Sequence, residues 1–140
     1  YFRYYQLKNI FDLIVSNPPY FIDALKCPDE QRCTARHAGN LNYDLLFHRS
    51  ASLLEEQGVV SIIIPAEAEK TVVDTAWNHK LFPLHRVQVF TKPGKPCRRV
   101  LLNFGFEAKE CREEKLCIEV NHNEFTPEYV ALTKDFYLKM

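Results

Sequence analysis

The sequence predicts an α/β fold: a mainly parallel sheet that finishes antiparallel, with helices in its crossovers. Three observations carry this. Two apolar, β-branched runs, "LIV" (Leu13 to Val15) and "VVSIIIP" (Val59 to Pro65), are separated by a long segment that ends in a helical pattern. A second helical pattern follows the second run. Two alternating segments, "LHRVQVFT" and "RVLLNFGF", then come close together, joined by "KPGKPCR".

Taken in order, Leu13 to Val15 follow Asp12 as a continuous apolar triplet, the mark of a strand covered on both faces. Residues 22–40 lack periodicity and read as a long loop with at most a short helix, the kind of segment that often carries function. In "NLNYDLLFHRSASLLEEQG", Tyr43, Leu46, Phe47, Ser50, Ala51 and Leu54 follow helical spacing. Asn42 is placed to cap that helix and Gly58 to close it in a left-handed conformation. Val59 to Pro65 is too apolar for a half-exposed strand, and a helix near Ala66 to His79 puts Val72, Val73, Ala76 and Trp77 on one side. The alternation of the two later segments places them near a sheet edge, and the short link pairs them antiparallel. "KECREEKLCIEV" carries one more short strand at its end. In "FTPEYVALTKDFYLKM", Thr126 caps a helix, Pro127 takes its first position, and Tyr129, Leu132 and Phe136 share a face. The tail aromatics Phe136 and Tyr137 are expected to pack in the core.

The 140 residues have room for one domain, and 46% apolar content is enough for a core, which argues against disorder. Acidic and basic residues balance at 18 each, so bulk charge does not point to a nucleic-acid partner. Five cysteines (Cys27, Cys33, Cys97, Cys111, Cys117) form no CxxC pair, so a metal site is not expected. They read as free thiols in a reducing cytoplasm. No apolar run approaches the ~20 residues that span a bilayer, and no secretory leader is visible. A strand reached almost at once, with no initiator Met, leads us to expect a C-terminal portion of a domain whose N-terminal half is missing.

The chemistry-bearing stretch is "FDLIVSNPPYF". In a parallel α/β sheet, ligands bind beyond the carboxyl ends of strands, where Asn17, Pro18, Pro19 and Tyr20 stand. Proline fixes φ, restricts its predecessor and contributes no N–H, so Asn17 is held extended and the Pro18 carbonyl is left for an outside donor. An amide oxygen beside a carbonyl offers two acceptors to an amino group with two hydrogens, and Tyr20 can stack on the flat ring that bears it. The alternative is a rigid strand-to-loop turn and nothing more.

With these residues in view, "DLIVSNPPYF" resembles the catalytic motif of class I S-adenosylmethionine-dependent methyltransferases that modify exocyclic or amide nitrogens. That group contains N6-adenine methyltransferases of DNA and RNA and glutamine methyltransferases of release factors. "ARHAGNLNYDLLFHRSASLLEEQGVVSIIIPAE", "VFTKPGKPCRRVLLNFGF" and "TPEYVALTKDFYLKM" narrow the likeness to the bacterial tRNA1(Val) (adenine-N6) subfamily, which modifies the adenosine 3′ of the anticodon. The resemblance implies a Rossmann-like fold, S-adenosylmethionine as methyl donor, tRNA as partner and a cytoplasmic enzyme. It implies that Asn17 and Pro18 accept the hydrogens of the target amine, that Asn17 also touches the donor, and that Tyr20 stacks on the base with Phe21 behind it. It places Arg36 and His37 near the substrate; the alternative is an exposed pair on a charged loop. The four glycines form no GxGxG, which implies that the donor-binding half lies upstream. Lys92, Lys95, Arg98 and Arg99 put four positive charges into eight residues, a cluster suited to RNA phosphates or, alternatively, a solvated hairpin tip. Protein-glutamine or DNA-adenine methylation and a non-catalytic RNA-binding remnant remain open at this point.

Overall fold

In the computed structural model, which describes residues 8–19 and 43–137, β1 (Phe11–Ser16) is followed by α1 (43–53) and β2 (Leu54–Pro65). A 3-10 turn (Ala66–Ala68) leads into α2 (Glu69–Asn78), then β3 (Phe82–Phe90), β4 (Arg99–Gly105) and β5 (Arg112–Cys117). A two-stranded ribbon, β6 (Glu119–Asn121) with β7 (Glu124–Phe125), precedes α3 (Pro127–Thr133).

The sheet has five strands in the order β1-β2-β4-β3-β5. β1 and β2 pair parallel, β4 pairs antiparallel with both β2 and β3, and β5 pairs parallel with β3. Four of these five strands therefore run the same way and β4 alone is reversed. The antiparallel pair read from the sequence is present, but its place differs. β4 is the central strand, and β5 covers the edge that β3 would otherwise present. Mostly polar "REEKLC" hid β5 from apolar patterning, so two strands stand where one was expected.

Period-2 alternation puts Val60, Ile62 and Ile64 on one face of β2, and Val100, Leu102 and Phe104 on the same face of β4; all six are buried. Onto them pack Tyr43, Phe47 and Ser50 of α1 and Val72 and Ala76 of α2. Phe47 meets Phe104 edge to face, ring centroids 5.1 Å apart. His79 closes α2 and lies 2.7 Å from Asp44, tying the two helices together. Trp77, expected on the buried side of α2, is instead 57% exposed and rests edge-on against Phe82. Val72 and Ala76 are the positions of α2 that face the core, and Trp77 lies to the side of them.

The α1–β2 junction corrects the expected helix end. The N–H groups of Asn9 and Ile10 donate to the carbonyls of Ser52 and Leu53, so the chain entering β1 takes over the end of α1. β2 then starts at Leu54, and the partner of β1 jumps from Leu54 (opposite Phe11) to Val59 (opposite Leu13), leaving residues 55–58 as a bulge. Gly58 is not in the left-handed region; among the described glycines only Gly94 is, with φ 77°. Gly58 is glycine because space is short: a Cβ there would stand 2.7 Å from Leu54 Cδ2 and 3.0 Å from the carbonyl oxygens of Glu55 and Phe11. The Asn42 cap and the loop of residues 22–40 lie outside the described residues.

Two expectations about burial fail. Leu13 and Val15 are 57% and 71% exposed, because among the described residues only the Ile14 side of β1 is covered. Phe136 and Tyr137 lie beyond the last turn of α3 and are 85% and 56% exposed, so they are not core. The start of α3 is as read: Thr126 Oγ1 accepts from the Tyr129 N–H at 3.2 Å, with Pro127 in the first turn. Thr126 is buried, its N–H donates to the Ile118 carbonyl and its hydroxyl to that of Cys117, pinning α3 to the end of β5.

Candidate functional site

Because β1, β2, β3 and β5 share a direction, their carboxyl ends Ser16, Pro65, Phe90 and Cys117 form one rim of the sheet. Directly past that rim on β1 come Asn17, Pro18 and Pro19. Pro18 is buried and anchors the corner, while Asn17 and Pro19 are exposed. A cavity of about 670 Å³ opens beside them, walled by the α1 face that carries Leu45, Leu46, Arg49 and Ser50. Its walls are mainly apolar and its polar side chains are few, the composition of a small-molecule or base pocket. Arg49 was not singled out from the sequence. The signal was there: Leu45, Arg49 and Leu53 recur every fourth residue, next to the buried stripe rather than opposite it.

The cationic loop lies on the same rim. Lys92 begins a turn in which the Lys95 N–H donates to the Lys92 carbonyl at 3.3 Å. With Pro93 second and Gly94 third at positive φ, this is a type II turn. The loop returns to the rim through Arg98, whose carbonyl accepts from the Ala66 N–H at 2.9 Å, and Arg99, which faces Pro65 in the ladder. Strands lie ~4.8 Å apart, so three strand steps put this loop roughly 14 Å along the rim from Asn17. Lys92 stands 3.7 Å from Glu119, Lys95 and Arg98 are exposed, and Arg99 is half-buried. Lys92 and Lys95 line a second cavity, of about 830 Å³, with Phe90 and Lys115; Arg98 and Arg99 are not among its walls. The structure thus brings Asn17, Pro18, Pro19 and the four cations onto one edge. Tyr20, Phe21, Arg36 and His37 lie outside the described residues.

The described walls of the first cavity fit one end of a methyl donor. Asn17 and Ser16 offer polar atoms beside apolar walls, but among the described residues no carboxylate lines it to hold ribose hydroxyls. Among the described residues no cluster of His, Cys, Asp and Glu is arranged to hold a metal, and no helix is long and apolar enough to cross a membrane. Cys97, Cys111 and Cys117 are free thiols; those of Cys97 and Cys117 donate to the carbonyls of Arg99 and Glu119. Burial pushes the Cys111 thiol above its ordinary range, with Glu113 adding to the effect.

Similarity to known proteins agrees with this geometry. The chain is 46% identical over 142 residues to a tRNA1(Val) (adenine(37)-N6)-methyltransferase of Bacteroides fragilis, covering 99% of this chain and 60% of that protein. It is 45% identical over 133 residues to the protein of the same description from Phocaeicola vulgatus, covering 95% and 57%. The chain therefore spans about 60% of the length of the curated relatives it matches. A crystal structure described as a predicted O-methyltransferase, from Agrobacterium tumefaciens, superposes with a TM-score of 0.66 over 91% of this chain and 52% of the other, at 14% identity, which is a likeness of fold. Residues 1–76, the part that holds β1, the Asn-Pro-Pro corner, α1 and β2, match the model described as Eco57I restriction-modification methylase, and the chain belongs to that family of methylases.

Proposed function

We propose that this chain is the substrate-presenting, C-terminal portion of a single methyltransferase domain that transfers a methyl group from S-adenosylmethionine to the N6 amine of an adenosine in tRNA. The observation that carries this reading is the common rim. An acceptor-rich, proline-stiffened corner and a cluster of four cations share one edge of a methyltransferase-type sheet, close enough for one RNA strand to touch both. The names of the relatives favour tRNA over DNA or a protein glutamine. The protein would work in the cytoplasm, where tRNA is modified.

When bound, the donor supplies an electrophilic methyl group, and Asn17 would hold its methionine end. The exocyclic amine of adenine is a weak nucleophile because its lone pair is spread into the ring. Asn17 Oδ1 and the Pro18 carbonyl accept its two hydrogens, turn the nitrogen toward tetrahedral and aim its lone pair. Positive charge grows on that nitrogen during transfer, so fixed acceptors stabilise the transition state more than the ground state. Tyr20 stacks on the base, Phe21 backs it, and Arg36 and His37 contact the neighbouring RNA. Lys92, Lys95, Arg98 and Arg99 hold phosphates and set the register of the strand without reading sequence. Positioning does most of the work, and no side chain needs a shifted pKa.

The test is methyl incorporation by the intact protein into unmodified bulk tRNA, duplex DNA and release factor in parallel. Labelled N6-methyladenosine in tRNA alone is the expected result. Label in DNA or in a glutamine side chain, with none in tRNA, would overturn the substrate assignment.

A further inference from the structure

We propose that the cavity between the Lys92–Lys95 turn and β5 is a second RNA subsite, in which Lys95 and Lys115 grip the phosphodiester backbone away from the methylated base. It rests on the tRNA reading above and adds a residue, Lys115, that no motif singled out. Four cations of this half of the molecule are held in ion pairs: Arg86 with Glu69 and Glu113, Lys92 with Glu119, Lys109 with Glu107, and Arg112 with Glu114. Lys95 and Lys115 have no ion pair among the described residues, and both line the same cavity of about 830 Å³. Among the described residues, three lysines and one carboxylate, Glu128, face that space, so its local charge is positive although the whole chain is neutral.

The pair is placed by the fold rather than by sequence neighbourhood. β5 runs parallel to β3 with Lys115 opposite Gln88, two residues short of Phe90, so Lys115 stands just below the rim from which the turn projects. The type II turn at Pro93 and Gly94 holds Lys95 over the mouth. Phe90 adds an apolar wall on which a sugar or base can rest. At roughly 14–19 Å from Asn17, three to four strand steps, the cavity is too far away for the target nucleotide. It takes the backbone a few nucleotides along, where a lysine positions RNA without reading it.

The experiment compares wild-type intact protein with Lys115→Gln, Lys95→Gln and their double variant, and with Lys109→Gln, a lysine near the opposite rim, as control. Binding to an unmodified tRNA transcript is measured across a salt series, alongside steady-state methylation. Each subsite variant should lower the steepness of log K against log salt by about 1, and the double variant by about 2, with the loss appearing in KM. Lys109→Gln should leave the slope unchanged. If tRNA is bound and methylated but the double variant keeps the wild-type slope, or loses only kcat, the subsite is wrong and the methyltransferase reading stands. If the wild-type protein neither binds nor methylates tRNA, both readings fall together.

Discussion

Replacing Asn17 by Ala in the intact protein isolates the catalytic claim from folding and from RNA binding. Asn17 is exposed beyond the end of β1 and lies outside the buried cluster, so chemical denaturation of the variant, run beside the kinetics, separates any loss of stability from the loss of catalysis. What it removes is one of two fixed acceptors for an amine that becomes cationic. Deleting one preorganised hydrogen-bonding group at a site of developing charge costs about 2.7–4 kcal/mol, or roughly 10²–10³ in kcat. Asn17 is exposed at the mouth of the pocket, so solvent partly replaces the lost oxygen and the lower half of that range is expected. Single-turnover methylation of unmodified tRNA with saturating enzyme reads the chemical step; filter binding reads RNA affinity, which should not move because the phosphate contacts lie elsewhere on the rim. Asn17→Asp keeps an acceptor oxygen and should lose less than Asn17→Ala. Single-turnover rates for Asn17→Ala within a few-fold of wild type would refute the role of this amide.

Three further outcomes follow from the geometry. Gly58→Ala forces a methyl group against Leu54 and two carbonyl oxygens and should destabilise by about 1–3 kcal/mol in chemical denaturation; an unchanged midpoint would show that the bulge relaxes freely. Thr126→Val keeps the branched shape but removes both the helix cap and the hydrogen bond to the Cys117 carbonyl, a loss of about 1–2 kcal/mol, and a loss under ~0.5 kcal/mol would mean that α3 is not anchored there. Asp12 shares a hydrogen bond with Glu55 and repels its charge, holding the Glu55 carboxyl above its ordinary range. A folded pKa raised above the unfolded one gives stability that is full below the unfolded value, ~4.3, and is lost as pH rises through the folded value. Glu55→Gln should therefore raise Tm at pH 7 and leave it unchanged below pH ~4, and an equal shift at both pH values would contradict the pairing.

The order of elements as far as β4 and the class of fold were legible before any coordinates. Hydrophobic period and proline are local properties: "VVSIIIP" can only be a deeply packed strand, and a chain that passes two prolines after a strand can only leave it stiffly. The cap at Thr126 was equally local and stands where it was read. Tertiary structure decided what depends on partners distant in sequence. The end of α1 was set by Asn9 and Ile10 claiming its last carbonyls, which no helix propensity anticipates. β5 exists because β3 offered it an edge, although its own residues are mostly polar and exposed. Arg49 and Asn17 came to line one cavity only when α1 packed beside β1, and Lys95 and Lys115 only when β5 paired with β3. A side chain's own chemistry is written in the sequence; which other charges and oxygens it faces is settled by strand order and register.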